Sequence, residues 1–322
     1  MWSTLSRTVG FRKICSNQLD PPCEHRQVRV LVTGATGFIG QRLVSELATR
    51  HTVHALVRSS DHGLPEGAET VVCDLTRPLD EVGLPTKMDV VVHLAQSRRH
   101  REFPQSAQDI FDVNVGSTQR LLEYARKVGA GRFVYASSGG INRYSVDPVN
   151  EESLIEPIGY YLTTKYVGEL LLKAYRQCFS AVVLRPFFVY GPGQARHMFL
   201  PRLASSILEG RSIYLRGATG IRLNPVHVSD AVRAFARAVE LEGDHVVNVA
   251  GPEVLSLREI VEPMAMLLGR TPVFEPTSNP FKGDLIGDIN RMTTLFGAPQ
   301  VRFRDRVSEV CAGAAATPAA EG

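Results

Sequence analysis

The chain has 322 residues, 44% of them hydrophobic and 21% charged, with a formal net charge of +3. That length suits one large domain or two closely packed ones, and the near balance of charge offers no footprint for nucleic acid. No apolar run approaches the ~20 residues that cross a bilayer, so no membrane association is expected.

Along the chain, the first 27 residues hold Arg7, Arg12 and Lys13 among serines and threonines, with no acidic residue before Asp20. Transit peptides share that composition, but the stretch lacks a long amphipathic helix. Residues 1–27 are therefore read as a disordered tail and the protein as cytoplasmic. The five cysteines (Cys15, Cys23, Cys73, Cys178, Cys311) are scattered, with no CxxC and no histidine at ligand spacing. Isolated thiols of this kind suit a reducing compartment, and neither disulfides nor a metal site is expected.

From Val28 onward, short apolar runs alternate with helical stretches. The runs at 28–33, 52–57, 70–73, 89–95, 132–137 and 181–186 are β-branched and continuous, as buried strands are. Helical patterns separate most of them, notably 38–50, 106–128 and 160–178. Strands alternating with helices predict an α/β fold, a doubly wound parallel sheet of Rossmann type. It is expected over 28–185, with a return strand within 222–250. After Pro186 glycine and proline become frequent, which marks 186–311 as mainly a smaller substrate-binding part. The closing AGAAATPAAEG (312–322) reads as a second tail.

The first strand runs into TGATGFIG, which places Gly34, Gly37 and Gly40 in a G-x-x-G-x-x-G turn before a helix. Such a turn lets the backbone approach a pyrophosphate whose charge rests on the helix N-terminus. Adenine and ribose belong near the next strand ends, at Arg58 and the Asp74–Leu75 pair. Further on, GYYLTTKYVGE (159–169) sets Tyr160, Tyr161 and Tyr166 around Lys165. Spacing alone leaves two readings open there: one tyrosine does chemistry, or all three pack on an amphipathic helix with Leu170, Leu171 and Leu172.

The collinear order of these motifs resembles the extended short-chain dehydrogenase/reductase family, in its NAD(P)-dependent sugar epimerase/dehydratase branch. The likeness runs from about Val28 to about Val310, through VNVGSTQRLLEYAR, YASSGG, YYLTTK, LRPFFVYGPG, VHVSDAVRA and NVAGPEVLSLREI. The resemblance implies an NAD(P) cofactor and a catalytic set of Tyr161, Lys165, Ser138 (with Ser137 as the alternative) and the structural Asn114. It further implies cofactor contacts at Gly34, Thr36, Gly37, Phe38, Ile39, Gly40, Arg58, Asp74, Leu75, Leu94, Ala95, Gln96 and Pro186, besides Tyr161 and Lys165. A lysine ammonium beside the phenol, with a cationic nicotinamide near, is expected to lower the phenol from its usual pKa of ~10. Tyr161 then trades a proton with a substrate hydroxyl while hydride moves to or from the cofactor. Tyr160 and Tyr166 become packing residues. The resemblance also implies a small-molecule substrate, a nucleotide sugar first among the classes, and a homodimer through the helices at 106–128 and 160–178.

The sequence departs from the family pattern in several places. Arg58 stands where NAD-specific members carry an acid, and a guanidinium suits a 2′-phosphate, which tilts the expectation toward NADP. Ile141-Asn142-Arg143 replaces a valine–tyrosine–glycine run, and Gly139-Gly140 replaces the Asp-Glu pair of dehydratases, so 4,6-dehydration is not expected. Phe188 takes the place of an asparagine that meets the nucleotide diphosphate, and the motif arginine before His227 is displaced to Arg222. Arg98, Arg99 and Arg101, in SRRHRE after the fourth strand, suit a phosphate or carboxylate, though a solvated basic loop has the same composition. The expected function is epimerase or ketoreductase chemistry at a secondary alcohol or ketone of a nucleotide sugar. The alternatives are an NADPH reductase of a non-nucleotide ketone and a non-catalytic dinucleotide-binding sensor or scaffold. The presence of Ser138, Tyr161 and Lys165 together argues against the last.

Overall fold

Each β-branched run from Val28 to Pro186 becomes a strand. In the computed structural model the described residues are 27–60, 63–64, 67–277 and 283–315, so the tails at 1–26 and 316–322 lie outside them. The chain lays down β1 (Arg29–Thr33), α1 (Gly40–Ala48), β2 (Thr52–Val57), β3 (Ala68–Val72) and β4 (Val90–His93). Next come α2 (Ala107–Phe111) and α3 (Ser117–Lys127), joined through a π-helical turn at Asp112–Gly116. β5 (Arg132–Ala136), α4 (Tyr160–Ala174) and β6 (Ser180–Pro186) follow. The later half carries α5 (Phe199–Leu208), β7 (Ile213–Leu215), β8 (Arg222–Leu223), α6 (Val228–Ala238), β9 (His245–Val249) and β10 (Leu255–Ser256). It ends with α7 (Leu257–Leu268), β11 (Phe274–Pro276), α8 (Asn290–Phe296) and α9 (Phe303–Ala315).

Seven strands form one parallel sheet in the order β3-β2-β1-β4-β5-β6-β9. The order reverses between β1 and β4, the point at which an open α/β sheet leaves a crevice beyond its strand ends. Both faces are covered, which is why the strands read as unbroken apolar runs. On one face, Leu43 and Val44 of α1, Phe235 of α6 and Phe296 of α8 pack against Val30, Val32 and Val92. On the other, Leu121 and Leu122 of α3 and Leu172 of α4 pack against Leu31, Val91 and Phe133. A separate core joins α5, α7 and α9 through Leu200, Ile260, Met264 and Phe303. Beneath α4, Arg185 of β6 donates to both carboxylate oxygens of Glu169 at 3.0 and 2.7 Å.

Two expectations need correction. The helical pattern at 106–128 is two helices rather than one, because the chain widens to a π turn around Asn114. The final helix reaches Ala315, into the stretch read as a tail; alanine, the best helix former, carries it there.

Candidate active site

The glycine turn is closed by contacts that leave no room for side chains. A Cβ on Gly34 (φ +68°) would stand 2.7 Å from the Ala95 nitrogen, and one on Gly40 would stand 2.1 Å from the Gly34 carbonyl. The exit of β4 is pinned beside it: Leu94 N donates to the Thr33 carbonyl at 3.2 Å, and Ala95 N to Thr33 Oγ1 at 3.3 Å. α1 follows Ile39 with no side-chain cap and no acid in its first turn, so the positive end of its dipole faces the glycine turn, as an anion site requires. This cradle fits the pyrophosphate of a dinucleotide. Thr36 is exposed at the tip, and Phe38 lies under the Arg42 guanidinium at 5.1 Å. Arg58, just past β2, is exposed, and Pro186, at the end of β6, is half-buried. Asp74 accepts from Thr76 N and Oγ1 at 2.9 and 2.7 Å, which holds its carboxyl below the ordinary range. The Leu75 carbonyl accepts from Arg120 Nε at 3.1 Å.

Tyr161 lies in the first turn of α4, half-buried, and its hydroxyl donates to Gln96 Oε1 at 2.7 Å. Lys165, one turn on, is 2% exposed, with Nζ 4.8 Å from the centre of the Tyr135 ring. Tyr160 stacks on Phe103 at 4.7 Å, and Tyr166 is half-buried on the same helix. Asn114 is buried in the π turn, a deviation that often sits at functional sites. Its Oδ1 accepts from Ser97 N and its Nδ2 donates to Thr164 Oγ1, both at 2.9 Å. Thr164 in turn donates to the Tyr161 carbonyl at 2.7 Å, so Asn114 ties the loop after β4 to the turn that carries the tyrosine. Ser138 is half-buried and accepts from Gly140 N at 3.2 Å, and Gly140 brings this turn against Leu162, next to Tyr161. Ser137 is buried, and its Oγ has no hydrogen-bond partner among the described residues.

The titration of the pair differs from the expectation. Burial pushes the Tyr161 phenol above its ordinary value rather than lowering it. Burial also brings Lys165 down to about 7, partly opposed by the Glu169 carboxylate. The enclosure that disfavours the phenolate thus weakens the very ammonium meant to stabilise it. The sign for stability follows. The unfolded lysine titrates at 10.5 and the folded one near 7, so between them the unfolded chain binds more protons. Stability should therefore rise with pH across that window, by up to about 1.4 kcal/mol per pH unit. Urea unfolding from about pH 7 to pH 9.5 should show this slope in the wild type and not in Lys165→Met; equal slopes would disprove the buried-lysine account.

Several residues at the site lie in motifs read from the sequence but were given no role there. His93, under the cradle, meets Thr33 Oγ1 at 2.7 Å and Thr118 Oγ1 at 3.0 Å, and burial brings it to about 3, so it is neutral. Tyr135 supports Lys165, and the His100 ring lies 5.0 Å from Tyr161. Of the basic loop, Arg98 is exposed, Arg99 reaches Glu102 at 3.9 Å, and Arg101 Nη1 donates to the His197 carbonyl at 2.6 Å.

The departures have structural counterparts. A Cβ on Gly139 would stand 2.3 Å from the Phe187 ring, so no carboxylate fits there. Phe188 holds φ +45°, a conformation costly for a bulky residue, and its ring packs on Phe199 at 5.3 Å. Arg222 does not have a free guanidinium: Nε pairs with Asp284 Oδ2 at 2.7 Å, while neighbouring Leu223 is fully buried.

The model of the NAD-dependent epimerase/dehydratase family matches residues 30–250. A UDP-glucose 4-epimerase of Mycolicibacterium smegmatis is 32% identical over 88% of this chain and 97% of its own. A 3-diazoavenalumate denitrifying reductase of a Streptomyces species is 33% identical over 76% of this chain and 83% of its own. Among solved structures, MoeE5 in complex with UDP-glucuronic acid and NAD superposes with a TM-score of 0.74 at 30% identity, covering 87% of this chain and 97% of that one.

Proposed function

The chain belongs to the NAD-dependent epimerase/dehydratase family, and we propose that it acts on a secondary alcohol or ketone of a nucleotide sugar, as an epimerase. The observation that carries this reading is the Tyr161 hydroxyl, held at 2.7 Å by Gln96 next to the glycine cradle, with Lys165 buried one turn behind. Gly34, Gly37, Gly40 and the start of α1 would hold the dinucleotide, whose nicotinamide supplies hydride acceptance and return. Tyr161 Oη exchanges a proton with the substrate oxygen: its raised pKa favours the phenol that gives a proton to a ketone, and the alcohol-oxidising half needs the phenolate to be freed first. Ser138 Oγ orients the same oxygen. Gln96 must release the hydroxyl when substrate arrives. The place of the dehydratase acid is filled by Phe187, which supports redox chemistry without loss of water.

Epimerase rather than reductase is favoured by the near full-length match to a UDP-glucose 4-epimerase. The test is to purify the protein and supply UDP-glucose with no added cofactor. Protein that arrives with a bound nicotinamide dinucleotide and interconverts the sugar supports the reading. Protein that arrives empty and, when given NADPH and a keto-sugar, consumes NADPH in step with product is a reductase. Phe188 and Leu223, apolar where the family pattern has polar residues, support that second reading with a non-nucleotide ketone, as does the similarity to a denitrifying reductase.

Arg58 tilts the cofactor toward NADP. A charge-assisted hydrogen bond to the 2′-phosphate contributes about 1.5–3 kcal/mol, so NADPH should bind roughly tenfold or more tighter than NADH. Calorimetric titration should show that gap closing in Arg58→Ala; equal affinities in the wild type would remove the argument. A homodimer through α2–α3 and α4 is supported by exposed Phe111 and Leu170, at 45% and 48%. Light scattering should give twice the 35.4 kDa of one chain, and a monomer mass would contradict it. The free thiols Cys73, Cys178 and Cys311 suit the cytoplasm.

A further inference from the structure

Two basic segments meet beside Tyr161. The loop after β4 supplies His100, whose ring lies 5.0 Å from that of Tyr161, and Arg101. The segment entering α5 supplies His197, whose ring faces His100 at 6.0 Å. Arg101 Nη1 donates to the His197 carbonyl at 2.6 Å, which latches the segments together. Arg202 of α5 adds a second guanidinium, and burial followed by its charge pushes the titration of Arg101 downward. Phe199, at the start of the same helix, packs on Phe188 at 5.3 Å, so α5 opens at the substrate end of the site.

Among the described residues, neither Arg101 nor Arg202 has a carboxylate within ion-pair distance. The acids of the loop are engaged elsewhere: Glu102 with Arg99 and Ser106, and Asp109 with Ser97. Like charges gathered without a counter-ion repel, and an anion placed among them removes that cost while accepting charge-assisted hydrogen bonds. The cluster borders the tyrosine assigned above to the reacting oxygen, and planar guanidinium donors match a carboxylate.

We propose that His100, Arg101, His197 and Arg202 form a subsite for an anionic group, a carboxylate carried by the reacting sugar. This rests on the nucleotide-sugar reading above and narrows it to acidic sugars. The alternative source of the same chemistry is the diphosphate of the nucleotide. UDP-glucose and UDP-glucuronic acid, which differ only in that carboxylate, tell the two apart.

The experiment measures kcat/KM for both sugars in the wild type and in the Arg101→Gln/Arg202→Gln double variant, with thermal melts showing that the variant folds. The wild type should favour UDP-glucuronic acid, and the variant should lower that preference roughly tenfold or more. No wild-type preference, or an unchanged ratio in the variant, overturns the proposal; equal losses on both sugars would assign the arginines to the diphosphate. If the wild type turns over neither sugar, the nucleotide-sugar reading fails on its own. Calorimetric titration with inorganic phosphate then decides the subsite. Binding weakened in the variant keeps it, and equal binding removes it.

Discussion

Tyr161→Phe is expected to slow turnover by about 10²–10⁴-fold while dinucleotide binding stays close to wild type. The substitution removes one oxygen from a half-buried ring and leaves its packing beside His100 in place. The lost hydrogen bond to Gln96 costs stability only on the order of 1 kcal/mol. Neither change disturbs the glycine cradle. The paired control is Tyr160→Phe, whose ring keeps its stack on Phe103 and whose rate should hold. Sugar interconversion and dinucleotide titration on both proteins settle the matter. A fast Tyr161 variant, or a dead Tyr160 variant, would move the chemistry to another residue.

The second large effect is on stability. Glu169→Leu leaves the Arg185 guanidinium buried without both of its hydrogen bonds to that carboxylate, since Glu169 and Arg185 are only 8% and 5% exposed. Losing one member of such a pair costs about 3–5 kcal/mol, whereas exchanging both for apolar residues of similar volume is often near neutral. Arg185 retains its bond to the Glu151 carbonyl at 3.2 Å, which places the expected loss toward the lower end. The double variant Arg185→Met/Glu169→Leu should therefore be more stable than Glu169→Leu alone in urea titrations. Strict additivity of the two single losses would contradict the coupling. The same substitution should depress Lys165 further, because the Glu169 carboxylate is what holds it up against burial.

Much of the fold could be read from residue types. β2 spans Thr52–Val57, where a short apolar run follows the helical pattern at 38–50. Spacing alone left the Tyr161–Lys165 pair open, and the choice of Tyr161 came from the family resemblance; the structure sets the two residues one turn apart on α4. What surrounds that pair was not legible, since Gln96 lies 65 residues earlier in the chain and only tertiary packing brings it to the hydroxyl. Arg222 shows the same limit: its partner Asp284 is 62 residues away. The direction of the Tyr161 shift depended on burial, which no spacing encodes. The π turn at Asn114 was hidden because apolar Ile110, Leu121 and Leu122 suit a helix on either side of it.

Phe187 bears on how this scaffold could change over generations. Acquiring an acid for water elimination takes a side chain at position 139, yet even its first carbon would overlap the Phe187 ring at 2.3 Å. A mutational path must therefore shrink Phe187 first, and that ring is 1% exposed. Truncating it to alanine costs about 3–5 kcal/mol before any new chemistry exists. In the reverse order, Gly139→Asp arrives as an overpacked and unproductive intermediate. Each step is harmful without the other, so the two changes are epistatic.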